Sequence, residues 1–182
     1  MTIGLINKQM SAKFGGLELG GKWFQVANRT IDGRAINRVA IIVPYRDRLR
    51  NLKIFLQYIH TFLIWQAGAN YAVYLVEPSK RLRFNRAMLI NIGFREALLN
   101  YDFECFIFHD VDMLPEMFFN NYMCDLDYPK QMATSISLYS YSSHVYFTEH
   151  YMGGVTAFTR QQFEKINGYS NLFYGWGGEG KK

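Results

Sequence analysis

The sequence predicts an α/β fold, a mixed, mostly parallel sheet flanked by helices, and two observations carry that expectation. Three short apolar runs alternate with two stretches of helical periodicity, the strand-helix-strand rhythm of right-handed parallel units. The third run, Phe106-Ile107-Phe108-His109, then stops at Asp110 and Asp112. Carboxylates spaced i, i+2 on an extended segment point the same way, so both can face one ligand.

Residues 1–37 carry Gly15-Gly16, Gly20-Gly21 and little periodicity, and read as an irregular N-terminal segment packed on the domain. Residues 38–182 read as the domain proper. Its first strand is the continuous apolar run 39–43, halted by Pro44, as expected of a strand buried on both faces. Leu49, Leu52, Phe55, Leu56, Ile59 and Leu63 recur at three- and four-residue intervals, the stripe of an amphipathic helix. Residues 71–76 form a second apolar run, residues 85–99 a second helix with Leu89, Ile92 and Ala97 inward, and residues 105–108 the third strand.

With 49% hydrophobic and 17% aromatic content, 182 residues can bury one substantial core. Twenty basic against 15 acidic residues give +5, which favours anionic partners but lacks the long basic runs of a nucleic-acid arm. The aromatics do not interleave with arginines, so no nucleic-acid partner is expected. No stretch reaches the roughly eighteen apolar residues of a membrane span, and the N-terminus lacks a signal-peptide layout.

The acidic pair alone reads either as a solvated turn or as a seat for a hard cation. Two basic groups, Arg46, Arg48 and Arg50, and Lys80, Arg81, Arg83 and Arg86, read alone as solvated faces. All three features, however, fall at the carboxyl ends of expected strands, where ligands of open α/β sheets bind. Their convergence favours a metal-nucleotide site. Neither G-x-G-x-x-G nor G-x-x-x-x-G-K-[ST] occurs, so phosphate charge must be met by a cation and by arginines, whose planar fork suits phosphate oxygens.

Cys105 and Cys124 flank the acidic pair. A bridge between them would close a loop of about twenty residues, worth on the order of 3 kcal/mol; two buried thiols are the alternative. Asn28 opens an N-x-T sequon, usable only in the secretory lumen. His109 reads as a pocket-lining or capping side chain rather than a metal ligand. His144 and His150 match no zinc spacing. Tyr139, Tyr141, Tyr146 and Tyr151 suit strand packing or a sugar-stacking surface.

Read together, Val43-Pro44-Tyr45-Arg46-Asp47-Arg48, Phe84-Asn85-Arg86-Ala87, Asp110-Val111-Asp112, Gly153-Gly154-Val155 and Gly175-Trp176-Gly177-Gly178-Glu179 resemble the β1,4-galactosyltransferase family, glycosyltransferase family 7. The resemblance implies a GT-A (Rossmann-like) fold, manganese as cofactor, and inverting transfer of galactose from UDP-galactose to the 4-hydroxyl of a terminal sugar. That sugar would be N-acetylglucosamine on a glycoprotein or glycolipid. It further implies that Pro44, Arg46, Arg48, Phe84 and Arg86 line the uridine and diphosphate pocket, with Gly154 beside it. Asp110 and Val111 would touch the nucleotide and its sugar, and Asp112 would bind manganese. Tyr151 would select galactose over N-acetylgalactosamine. Trp176, Gly177, Gly178 and Glu179 would form a mobile loop and part of the acceptor site, the glycines giving it freedom. Cys105 and Cys124 match a family disulfide, and the implied location is the Golgi lumen, in a type II membrane protein whose N-terminal anchor lies outside this sequence.

The chain departs from the family pattern near its end. Gly180 stands where the family places the aspartate that acts as general base, which leaves Glu179 as a weak substitute. The family's two further manganese ligands, a methionine and a histidine, are absent from these 182 residues. A divalent ion takes about six donors, of which a diphosphate supplies about two. The expectation is therefore a galactosyltransferase polypeptide incomplete at both ends, with little or no transfer by these residues alone. The alternative is a non-catalytic, truncated isoform that retains a UDP-sugar pocket.

Overall fold

The computed structural model describes residues 2–4, 38–66, 70–137, 140–141 and 152–175. Among them the strands are β1 (Thr2–Gly4), β2 (Arg38–Pro44), β3 (Asn70–Glu77), β4 (Cys105–His109), β5 (Lys130–Gln131) and β6 (Val155–Thr159). The helices are α1 (Leu49–Trp65), α2 (Arg86–Asn100) and α3 (Arg160–Lys165). The strands form one sheet in the order β1-β3-β2-β4-β6-β5. Its centre is parallel, with β2 between β3 and β4, and both flanks are antiparallel. The sheet is thus mixed, and its parallel part is the central three strands joined through α1 and α2.

Strand alternation explains the three layers. Val39, Ile41 and Val43 of β2 pack with Leu52, Phe55, Leu56, Ile59 and Leu63 of α1 on one face. Ala40 and Ile42 pack with Leu89, Ile90, Phe94 and Ala97 of α2, and with Phe163 of α3, on the other. A strand covered on both sides has no polar face to show, which is why β2 and β4 read as unbroken apolar runs. At roughly 25 cal/mol per Å2 of apolar area, burying each such side chain contributes about 1.5–3 kcal/mol.

Helix α2 approaches the sheet closely at Gly93, where a Cβ would lie 2.4 Å from Ile42 Cγ2. Ile90 and Phe94 share its buried face, while Ile92, expected inward, is only partly buried. Leu49, the first residue of α1, likewise leaves the apolar stripe and is exposed. Asn85 caps α2 by accepting from Met88 N–H at 2.9 Å. Thr159 and Gln162 form a reciprocal capping box at α3.

Strand β1 lies within the segment read as irregular and pairs antiparallel with β3, Ile3 opposite Val76. The remainder of 5–37 lies outside the described residues. Cys105 and Cys124 are joined by a disulfide with a Cα–Cα distance of 5.5 Å, tying the first residue of β4 to the connection that follows it.

Candidate functional site

Parallel strands deliver their next residues to a common edge, and the chemistry collects there. Arg46 and Arg48 follow β2, Phe84 and Arg86 follow β3, and residues 110–112 follow β4. Gly154 joins them because β6 runs antiparallel and begins at that same edge. Of the expected donor residues, Pro44, Arg46, Arg48, Phe84, Arg86, Asp110, Val111, Asp112 and Gly154 all lie at this edge of the sheet. Tyr151, Trp176, Gly177, Gly178, Glu179, Gly180 and Asn28 lie outside the described residues.

Asp110 is held at every polar atom but one carboxylate oxygen. Its N–H donates to Gly154 O at 3.0 Å and its carbonyl accepts from Met113 N–H at 3.2 Å. Arg86 Nε donates to Asp110 Oδ1 at 2.6 Å, and Arg86 Nη2 reaches Gly154 O at 3.4 Å. This guanidinium is buried, and low dielectric strengthens its pairing with the carboxylate. Arg86 therefore orders Asp110, which the expectation of a diphosphate contact did not include.

Gly154 makes that arrangement possible. Its φ is +71°, and a Cβ would lie 2.8 Å from Met113 Cε and 3.2 Å from Ala133 Cβ. Only glycine accepts that backbone conformation at no steric cost and leaves room for the turn beside it.

Asp112 points to a different partner. The turn 110–113 presents its carboxylate at the surface, where Oδ2 pairs with Arg48 Nη1. Arg48 is also the N-cap residue of α1, whose first turn has no side-chain cap, so N–H groups and guanidinium face the same rim. Arg46 donates to Leu82 O at 2.7 Å and lies over the Phe84 ring, 5.5 Å from its centroid. Gly175 N–H donates to Phe84 O at 3.3 Å, bringing the segment before Trp176 to the same rim. Lys80, Arg81 and Arg83 are exposed.

His109 is fully buried, and burial pulls its imidazole from 6.5 down to about 4. Its Nδ1 lies 2.8 Å from Asp110 O and its Nε2 2.7 Å from Tyr122 Oη. The ring thus braces the turn from inside, as a capping side chain does. Tyr122 had no sequence signal except its position two residues before Cys124.

Asp112 is a hard oxygen donor with its side chain 43% exposed, which fits one ligand of a hard dication. Among the described residues no group of three or more His, Cys, Asp or Glu side chains could hold a metal. Fewer than three such side chains therefore converge there among the described residues. A diphosphate would supply further ligands.

Two family descriptions match the chain: "N-terminal region of glycosyl transferase group 7" over residues 4–125 and "N-terminal domain of galactosyltransferase" over residues 130–181. Human beta-1,4-galactosyltransferase 4 is 43% identical over 146 residues, 80% of this chain and 41% of that protein. Bovine beta-1,4-galactosyltransferase 1 is 38% identical over 163 residues, 90% of this chain and 38% of that protein. The chain spans about two fifths of the length of these curated relatives. A crystal structure of a Drosophila beta-1,4-galactosyltransferase 7 mutant with manganese, UDP-Gal and xylobiose superposes with a TM-score of 0.70 at 32% identity, covering 80% of this chain and 58% of that one. With a family match over two thirds of its residues, the chain belongs to glycosyl transferase group 7, glycosyltransferase family 7.

Proposed function

We propose that this chain carries the donor half of a β1,4-galactosyltransferase, and that the site at the carboxyl ends of β2, β3 and β4 binds UDP-galactose. The observation that carries the reading is the pair Asp110 and Asp112 on one turn, ordered by Arg86 and Arg48. The solved relative that holds manganese, UDP-Gal and xylobiose supports it. In this reading Arg46 and Arg48 meet the diphosphate, Phe84 and Pro44 wall the uridine, and Val111 and Gly154 border the sugar. Arg86 fixes Asp110, and Asp112 ligates manganese. Bound there, manganese would offset the negative charge that grows on the departing UDP. Tyr151 selects galactose, and residues 176–179 close over the donor and shape the acceptor site.

The full reaction is inverting transfer to the 4-hydroxyl of N-acetylglucosamine on a glycoprotein or glycolipid, in the Golgi lumen. The disulfide of Cys105 and Cys124 supports an oxidising compartment. No helix among the described residues is long and apolar enough to cross a membrane.

Gly180 favours a second reading, since glycine offers no group to take the acceptor proton. A chain that binds UDP-galactose and does not transfer it would act as a binding module. Incubation with UDP-galactose, manganese and N-acetylglucosamine, followed by mass spectrometry of the sugar, separates the two. A disaccharide supports the transferase, and binding without a disaccharide supports the module. A chain that does neither refutes both. Equal turnover of UDP-N-acetylgalactosamine would refute the role given to Tyr151.

A further inference from the structure

We propose that Tyr122 is a positioning residue for the donor site, acting through His109 to fix the turn that presents Asp112. The inference rests on the reading of residues 110–112 as the site for the metal and diphosphate.

The Asp110 carbonyl is the hub of that turn. It accepts Met113 N–H at 3.2 Å, closing 110–113 with Asp112 as the third residue, and it faces His109 Nδ1 at 2.8 Å. A carbonyl only accepts, so Nδ1 carries the ring proton. In a neutral imidazole Nε2 is then an acceptor, and it takes the Tyr122 hydroxyl proton at 2.7 Å. His109 is 0% and Tyr122 2% exposed, so no water competes for either bond. Phe55 packs on the His109 ring at 4.9 Å between centroids, and Phe62 meets Tyr122 edge-on at 5.4 Å.

Tyr122 is itself tied down. Its N–H donates to Gln66 Oε1 at 3.2 Å, and Gln66 Nε2 donates to Phe118 O and Asn120 O. Two residues later Cys124 is bonded to Cys105, at the start of β4. The segment 118–124 is therefore strapped between the end of α1 and the start of β4, and lays one hydroxyl against the inside of the site. Removing that hydroxyl leaves Nε2 a buried acceptor without its donor. The ring, no longer held from the Tyr122 side, is then free to turn, and turning releases the Asp110 carbonyl.

The protein contains its own control. His60 Nδ1 and Tyr71 Oη form a second buried pair at 2.7 Å, between α1 and β3, which does not touch the turn. In the full chain, Tyr122→Phe and Tyr71→Phe are compared by urea denaturation and by calorimetric titration with UDP in the presence of manganese. Both variants should lose stability, whereas only Tyr122→Phe should weaken UDP binding, by about tenfold. Equal UDP affinity in the two variants overturns the positioning role while leaving the donor site in place. A wild-type chain that binds no UDP overturns the donor-site reading and this inference with it. Should Tyr122→Phe not fold, His109→Gln against His60→Gln gives the same comparison and is judged by the same criterion.

Discussion

Arg86 Nε donates to Asp110 Oδ1 at 2.6 Å, joining the first residue of α2 to the first residue beyond β4. The bond crosses the sheet edge, so the connections that follow β3 and β4 are joined there. Arg86 side-chain exposure is 10% and that of Asp110 33%, so the pair is shielded on the arginine side and partly wet on the other.

Asp110→Ala should destabilise the chain by roughly 3 kcal/mol, because a buried guanidinium loses its carboxylate. Urea denaturation of the two single variants and of Asp110→Ala with Arg86→Ala gives the coupling. We expect a coupling above about 1 kcal/mol. Additive single effects would show that the two side chains stabilise the fold independently.

Gly154→Ala forces a side chain into φ +71° and against Met113 and Ala133. The expected cost is about 1–3 kcal/mol of stability, with UDP affinity reduced as well, because Gly154 O anchors both Asp110 N–H and Arg86. Thermal melting and calorimetry on one sample read both effects.

Gly93→Ala should be as costly to the fold and silent at the site. A Cβ there would meet Ile42 Cγ2 at 2.4 Å and Val76 Cγ2 at 2.8 Å, overpacking the joint between α2 and the sheet by roughly 1–3 kcal/mol. The variant that folds at low temperature should retain wild-type UDP affinity.

Stability should also fall with pH in a defined window. Burial holds His60 at about 4 against an ordinary 6.5, so the unfolded chain binds the extra proton between those values. The contribution is fully present above pH 6.5, declines as pH falls, and is gone below about 4, amounting to at most on the order of 3 kcal/mol. His109 has a shift of the same sign. Urea midpoints measured from pH 7 to pH 4.5 should fall, and His60→Gln should flatten the slope.

The central fold was legible because doubly covered strands and amphipathic helices leave strong periodicities, as in residues 39–43 and in the stripe from Leu52 to Leu63. Strand β5 was not, since Lys130–Gln131 is two half-buried polar residues held by pairing with β6. Strand β6 hid behind the glycines that precede it. At the site, Asp110, Asp112 and the arginines could be placed because parallel strands bring their ends together. What could not be read was which cation pairs with which carboxylate, or that Tyr122 reaches His109. Those contacts depend on the path of residues 113–124, and that path has no regular period.

The most direct test is calorimetric titration of the purified chain with UDP-galactose, with and without manganese, for the wild type and Asp112→Ala. Binding that requires manganese and is lost in Asp112→Ala is the predicted result. Binding that ignores both manganese and the substitution, or no binding in any condition, would contradict a donor site built on Asp112.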